Sequence, residues 1–171
     1  MKEKIKIKLT CYNNKLRGPC FKIYCNKNIL DTQENYTKKT YEKNFEIDIK
    51  EGEHQLVIEH YGKRPKDTLV NKNLDIAIQL EELSFNGIKC SLLDLHNNSF
   101  FTSNWPYPIA KEIKNNLYFG YNGAYKYFFK SPSLTYILGQ RKKHQKEMQN
   151  LNKIDVTEEE FLKILEKNFT N

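Results

Sequence analysis

Asp67 and Asp75 stand at the two ends of a polar stretch in which Thr68, Asn71 and Asn73 supply neutral oxygens. Calcium, a hard cation, takes about six to eight oxygens, a few of them from carboxylates. Two aspartates with amide and hydroxyl neighbours therefore read as a weak calcium site with Asp67 and Asp75 as the metal ligands. The plainer reading makes Asp67 a turn cap and Asp75 the start of a strand. A second candidate is the aromatic run Phe100, Phe101, Trp105, Pro106, Tyr107 and Pro108. Trp and Tyr rings offer apolar faces to sugar C–H groups, so Trp105 and Tyr107 are expected ligand contacts, with ordinary core packing as the alternative.

Other reactive constellations are absent from the sequence. Cys11, Cys20, Cys25 and Cys90 form no C-x-x-C pair, and His54, His60, His96 and His144 have neither H-x-x-x-H nor H-E-x-x-H spacing. Buried free thiols are expected. Glu81 and Glu82 are adjacent, so a strand sends them to opposite faces, and Glu46 and Asp48 decorate a solvent face. There is no G-x-S-x-G and no Gly-rich phosphate loop. An enzyme is not expected.

The chain has 171 residues, 39% hydrophobic and 13% aromatic, with a net charge of +7, and a mean hydropathy of −0.76. One domain with a tail fits that length. No window approaches the roughly 20 apolar residues that a membrane helix needs. Only Arg17, Arg64 and Arg141 are arginine; the remaining cations are lysine, a hydrated point charge rather than the fork that reads bases. Specific nucleic acid binding is not expected. The opening alternates lysine and isoleucine instead of carrying an apolar leader, so synthesis in the cytosol without a signal peptide is expected.

Period-two alternation predicts strands over Lys4–Tyr12 and Cys20–Cys25. Residues 31–44 read as a loop. Asn44–Lys50 and His54–Tyr61 read as a hairpin around Glu51-Gly52-Glu53, and Asp75–Ile88 as a long strand ending at Asn86-Gly87, with a helix over 76–85 as the alternative. Residues 89–114 are irregular. Leu117–Tyr121 and Ala124–Phe129 read as a second hairpin around Asn122-Gly123. Seven strands with turn-rich links predict a mainly β chain: a jelly-roll-like antiparallel β-sandwich over 1–131, followed by a helical tail over 132–171. Helices are expected near 133–148 and, behind the capping box Thr157–Glu160, over 157–168. The basic run 141–146 reads as a solvated helix face. The stripe Phe161, Leu162, Leu165 and Phe169 is expected to dock on the sandwich or on a neighbouring subunit as an assembly element.

The segment His60–Val70, followed by Asp75–Ile78 and Leu83–Ile88, resembles a β-sandwich family of tailed bacteriophages, itself similar to calcium-dependent, xylan-binding-like carbohydrate-binding modules. Trp105-Pro106-Tyr107-Pro108, Phe119–Gly123 and Ser131-Pro132 follow in the family's order. The resemblance implies a carbohydrate-binding-module-like fold and a calcium role for Asp67 and Asp75 only; Tyr61, Lys63 and Thr68, in the same stretch, are expected ligand contacts beside Trp105 and Tyr107. It also implies a non-enzymatic virion structural or capsid decoration protein, oligomeric in the particle, touching other virion proteins and a surface glycan. The alternative is an intracellular phage accessory protein that binds a host protein. Asn71 and Asn86 stand where the family carries acids, and Lys63, Arg64, Lys66 and Lys72 repel a cation from the loop.

Overall fold

The computed structural model describes residues 1–68, 74–105 and 109–151. Alternation decides β1 (Lys2–Tyr12): Ile5, Ile7, Leu9 and Cys11 are buried while Lys4, Lys6 and Lys8 face outward. The same rule builds β2 (Cys20–Cys25), which buries Phe21 and Ile23, and β5 (Gly52–Tyr61), which buries Leu56, Ile58 and His60. It also builds β6 (Ala77–Phe85) and β11 (Asn122–Ser131). The helical alternative for 76–85 is excluded, because β6 pairs with β1 from Ile5↔Phe85 to Tyr12↔Ala77.

The described strands make two antiparallel sheets. The first runs β10 (Tyr118–Phe119), β6, β1, β4 (Thr40–Asp48), with β7 (Ile88–Lys89) also on β6. The second runs β3 (Asn28–Gln33), β2, β5, β11, β8 (Ser99–Trp105), β9 (Ile109–Ile113). Their inner faces share one apolar core that includes Ile7, Leu9, Phe21, Ile58, Phe85, Phe101, Phe119 and Tyr127. The protein is therefore mainly β, an antiparallel β-sandwich followed by α2 (Ser133–Leu151). Tyr136 and Ile137 still pack on the core, and Met1–Ile137 forms one compact unit. No helix among the described residues is long and apolar enough to cross a membrane.

Four expected elements are corrected. Asn44–Lys50 and His54–Tyr61 are not a hairpin: β4 pairs β1, whereas β5 pairs β2 and β11. The short link between them carries the chain from one sheet to the other. Leu117–Tyr121 and Ala124–Phe129 are not a hairpin either, since β10 pairs β6 while β11 lies between β5 and β8. Gly123 sits within β11, where a Cβ would meet the Thr102 carbonyl oxygen at 2.2 Å and Phe101 at 2.6 Å. Its glycine serves close approach of two strands, not a turn. The expected loop 31–44 holds the end of β3 and the start of β4, where the Asp31 carboxylate is satisfied by the Tyr41 hydroxyl at 2.5 Å and by Lys43 at 3.0 Å. The irregular stretch 89–114 contains α1 (Leu92–Asn98), β8 and β9. Ser91 caps α1, its hydroxyl oxygen accepting from the Asp94 N–H at 3.1 Å.

The turn at Asn86-Gly87 is present, with φ of 50° and 83°, the mirror-image geometry that Asn-Gly favours. Asn86 also has a tertiary role: its amide donates to Glu3 at 2.5 Å and to Ser133 at 3.0 Å. An aspartate there would set a second carboxylate against Glu3. The helix expected over 157–168 lies outside the described residues.

Candidate ligand site at the strand ends

Asp67 and Asp75 are held by different partners. Asp67 closes a 3-10 turn over Pro65–Asp67 and is 2% exposed. Its Oδ2 accepts from the Arg64 backbone N–H at 2.8 Å and from Arg17 Nη1 at 3.1 Å, and its Oδ1 accepts from Arg64 Nη2 at 3.3 Å. Burial by itself would raise the carboxyl pKa, but hydrogen bonds from Arg64 and the charges of Arg17 and Arg64 hold it below the ordinary value. Asn14 ties the turn down, its amide donating to the Asp67 carbonyl at 3.2 Å.

Asp75 has different partners. Its Oδ1 accepts from Lys63 Nζ at 2.6 Å, from Thr68 Oγ1 at 2.8 Å and from the Ile76 N–H at 2.9 Å. Lys63 is 6% exposed and also donates to the Gly120 carbonyl. Its backbone is held by Asn122, whose side-chain amide both accepts from the Lys63 N–H and donates to the Lys63 carbonyl at 2.9 Å. A guanidinium pair on one aspartate and an ammonium on the other neutralise the charge that calcium would use. Among the described residues both carboxylates are thus taken by cations, which does not fit a calcium site, and no three His, Cys, Asp or Glu side chains come together.

Around Asp75 the fold gathers rings that the sequence reading did not connect. Tyr12 ends β1, Tyr118 opens β10 and Tyr121 precedes β11; they are 38%, 43% and 51% exposed. Tyr12 and Tyr118 pack edge to face with centroids 5.6 Å apart, and Tyr12 donates to Gln79 at 2.8 Å. Lys63 Nζ lies 6.0 Å from the Tyr121 centroid. Burial, and then the neighbouring Asp75 carboxylate, raise the Tyr118 phenol above its ordinary pKa. Gly120 makes room for this cluster, since a Cβ there would meet the Tyr118 ring at 2.9 Å. Beneath it, His60 is 1% exposed, and burial lowers its pKa to about 4. The imidazole is therefore neutral, with Nδ1 bonded to the Tyr121 carbonyl at 2.9 Å.

Of the expected ligand residues, Lys63, Thr68 and Asp75 meet here. Tyr61 does not: it points to the outer face of the second sheet, under Lys22 Nζ at 4.9 Å. Trp105 closes β8 opposite Asn122. The Trp105 ring, Asn71, Asn73, Tyr107, Phe161, Leu162, Leu165 and Phe169 lie outside the described residues. The signal for the missed site was available in part, because Tyr118 and Tyr121 bracket a glycine; only the topology brings Tyr12 beside them.

No family model matches the chain. No curated protein matches it either. Among solved structures it is similar to "vCBM60 in complex with galactobiose", at 11% identity over 72% of this chain and 96% of that one, with a TM-score of 0.45. It is also similar to a selenomethionine form of vCBM60, reported with a circular permutation linking two families of calcium-dependent carbohydrate binding modules. There the identity is 12% over 73% of this chain and 89% of that one, with a TM-score of 0.45. The sandwich of this chain rests on its own strand pairing.

Proposed function

We propose that this protein is a non-catalytic binding module that holds a carbohydrate against Tyr12, Tyr118 and Tyr121. The observation that carries this reading is the gathering of three half-exposed tyrosine rings around one partly exposed carboxylate. Such rings meet the C–H faces of a sugar, and their hydroxyls, with Thr68 and Asp75, offer donors and acceptors for sugar hydroxyls. A non-catalytic role is supported by Asp67 and Asp75, both committed to cations, and by a neutral, enclosed His60. Contact is proposed without calcium. The further step, that the module serves in a phage particle with the stripe 161–169 as its assembly element, rests on the order of sequence motifs alone.

Affinity electrophoresis through soluble neutral polysaccharides tests the glycan reading. Tyr118→Ala and Tyr121→Ala should each abolish retardation while leaving the melting temperature within a few degrees. Retardation unchanged in both variants refutes the tyrosine site. Protein copy number in purified particles tests the virion step, and its absence there favours an intracellular accessory role.

A further inference from the structure

Carboxylates neutralise some lysines on the outer faces of the sheets, Lys130 of the second sheet pairing with Glu53 at 2.9 Å, while rings hold others. On the first sheet, Lys2 pairs with Glu46 at 2.9 Å, and Lys6 with Glu42 at 2.9 Å and Glu82 at 3.4 Å. On the second sheet, Lys114 and Lys126 each place Nζ 5.6 Å from the Phe100 centroid, and Lys22 sits 4.9 Å from that of Tyr61. Among the described residues, no carboxylate forms an ion pair with any of these three. Glu59, the acid in the register row of Lys22, instead accepts from the Tyr24 hydroxyl at 2.8 Å. A ring holds an ammonium in place without cancelling its charge.

The lysines punctuate an apolar band. Strand register sets Ile29, Tyr24, Val57, Lys126 and Phe100 in one row across β3, β2, β5, β11 and β8. Phe128, 41% exposed, packs against Phe100 with centroids 5.6 Å apart, and Ile29 is 60% exposed. We infer that this face binds an acidic polysaccharide, whose C–H surfaces lie on Phe128, Val57, Tyr24 and Ile29 and whose carboxylates or sulfates reach Lys22, Lys114 and Lys126. Charge complementarity selects an anion. The band selects a sugar over a nucleic acid, because bases need open ring faces on which to stack, and here Val57 and Ile29 are aliphatic while Phe100 is covered by two ammonium groups. The surface is distinct from the tyrosine site and shares with it only the general class of ligand.

Binding of the full chain to polygalacturonate, a neutral galactan and an oligothymidylate, with melting curves for each variant, tests the inference. Polygalacturonate should bind about tenfold more weakly at about 200 mM salt than at about 50 mM, because releasing counterions into more concentrated salt gains less free energy. The pair Lys114→Gln with Lys126→Gln should weaken it about tenfold, the worth of losing two screened charge contacts. Lys114→Gln alone, on an exposed side chain, should weaken it severalfold, whereas Tyr118→Ala and Tyr121→Ala should leave it unchanged. Failure to bind polygalacturonate, or binding indifferent to the lysine changes, overturns the inference. Equal binding of the oligothymidylate with the same lysine dependence also overturns it, in favour of a nucleic acid face.

Discussion

Glu3 and Ser133 close the sandwich on itself. The Glu3 carboxylate, 1% exposed, accepts from the Ser133 N–H at 2.9 Å and from its hydroxyl at 2.5 Å, so the start of β1 is fastened to the first residue of α2. The Ser131 hydroxyl at 2.7 Å and the Asn86 amide complete the set of donors. Burial alone would raise this carboxyl's pKa, but the hydrogen bonds from Ser133, Ser131 and Asn86 hold it below the ordinary value.

Glu3→Gln should therefore lower stability by about 1–3 kcal/mol at neutral pH, because an amide cannot accept all four donors. A depressed folded-state pKa stabilises the protein at pH values above the unfolded carboxyl's range and ceases to do so as pH falls through the folded value. Urea melts should accordingly show the gap between wild type and variant narrowing with acid. A gap constant with pH would mean that the anion is not what matters.

Asp67→Asn should cost about 1–3 kcal/mol. This lies below the roughly 3–5 kcal/mol of a broken buried pair because Arg17 and Arg64 remain partly exposed and can return to water. With both aspartates held by cations, excess calcium should leave the wild-type melting temperature unchanged. A rise with calcium that Asp75→Asn removes would contradict the ion pairing.

Gly120 and Gly123 should behave differently though only three residues apart. Gly120→Ala crowds the Tyr118 ring, a movable side chain, and touches Asp75 Oδ2 at 3.8 Å, so melting should change little while polysaccharide retardation falls. Gly123→Ala meets the Thr102 backbone and should cost about 3 kcal/mol or more. Thermal melts and affinity gels on the two variants separate the outcomes.

The four cysteines are buried, and burial raises Cys11 to about 12 and Cys25 to about 11. Thiolate is the reactive form. Native protein should therefore resist a thiol reagent at mildly alkaline pH, and unfolded protein should titrate fully. Rapid modification of the native protein would show that the core opens.

Strand existence was legible where alternation is clean, as in β1, β2, β5 and β11, but not in β8, although it buries Phe101. Pairing was not legible, because alternation reports that a strand has an inside without saying which sheet supplies its neighbour. Both misread hairpins cross between sheets for that reason. The edge strand β3 was hidden because Asp31 is neutralised by Tyr41 and Lys43, partners that lie beyond the turn and inside what read as loop. At the site, Lys63, Thr68 and Asp75 were legible as one loop. The commitment of Asp67 to Arg17 was not, because it spans the β1–β2 turn and the end of β5, and no local pattern encodes it.

β11 runs into α2, and it is bonded on both sides, to β5 and to β8. A tether on α2 would therefore pull on a central strand, loading two ladders in shear together instead of peeling an edge strand one bond at a time. Such an attachment point transmits tension into the middle of the six-stranded sheet and not to its rim.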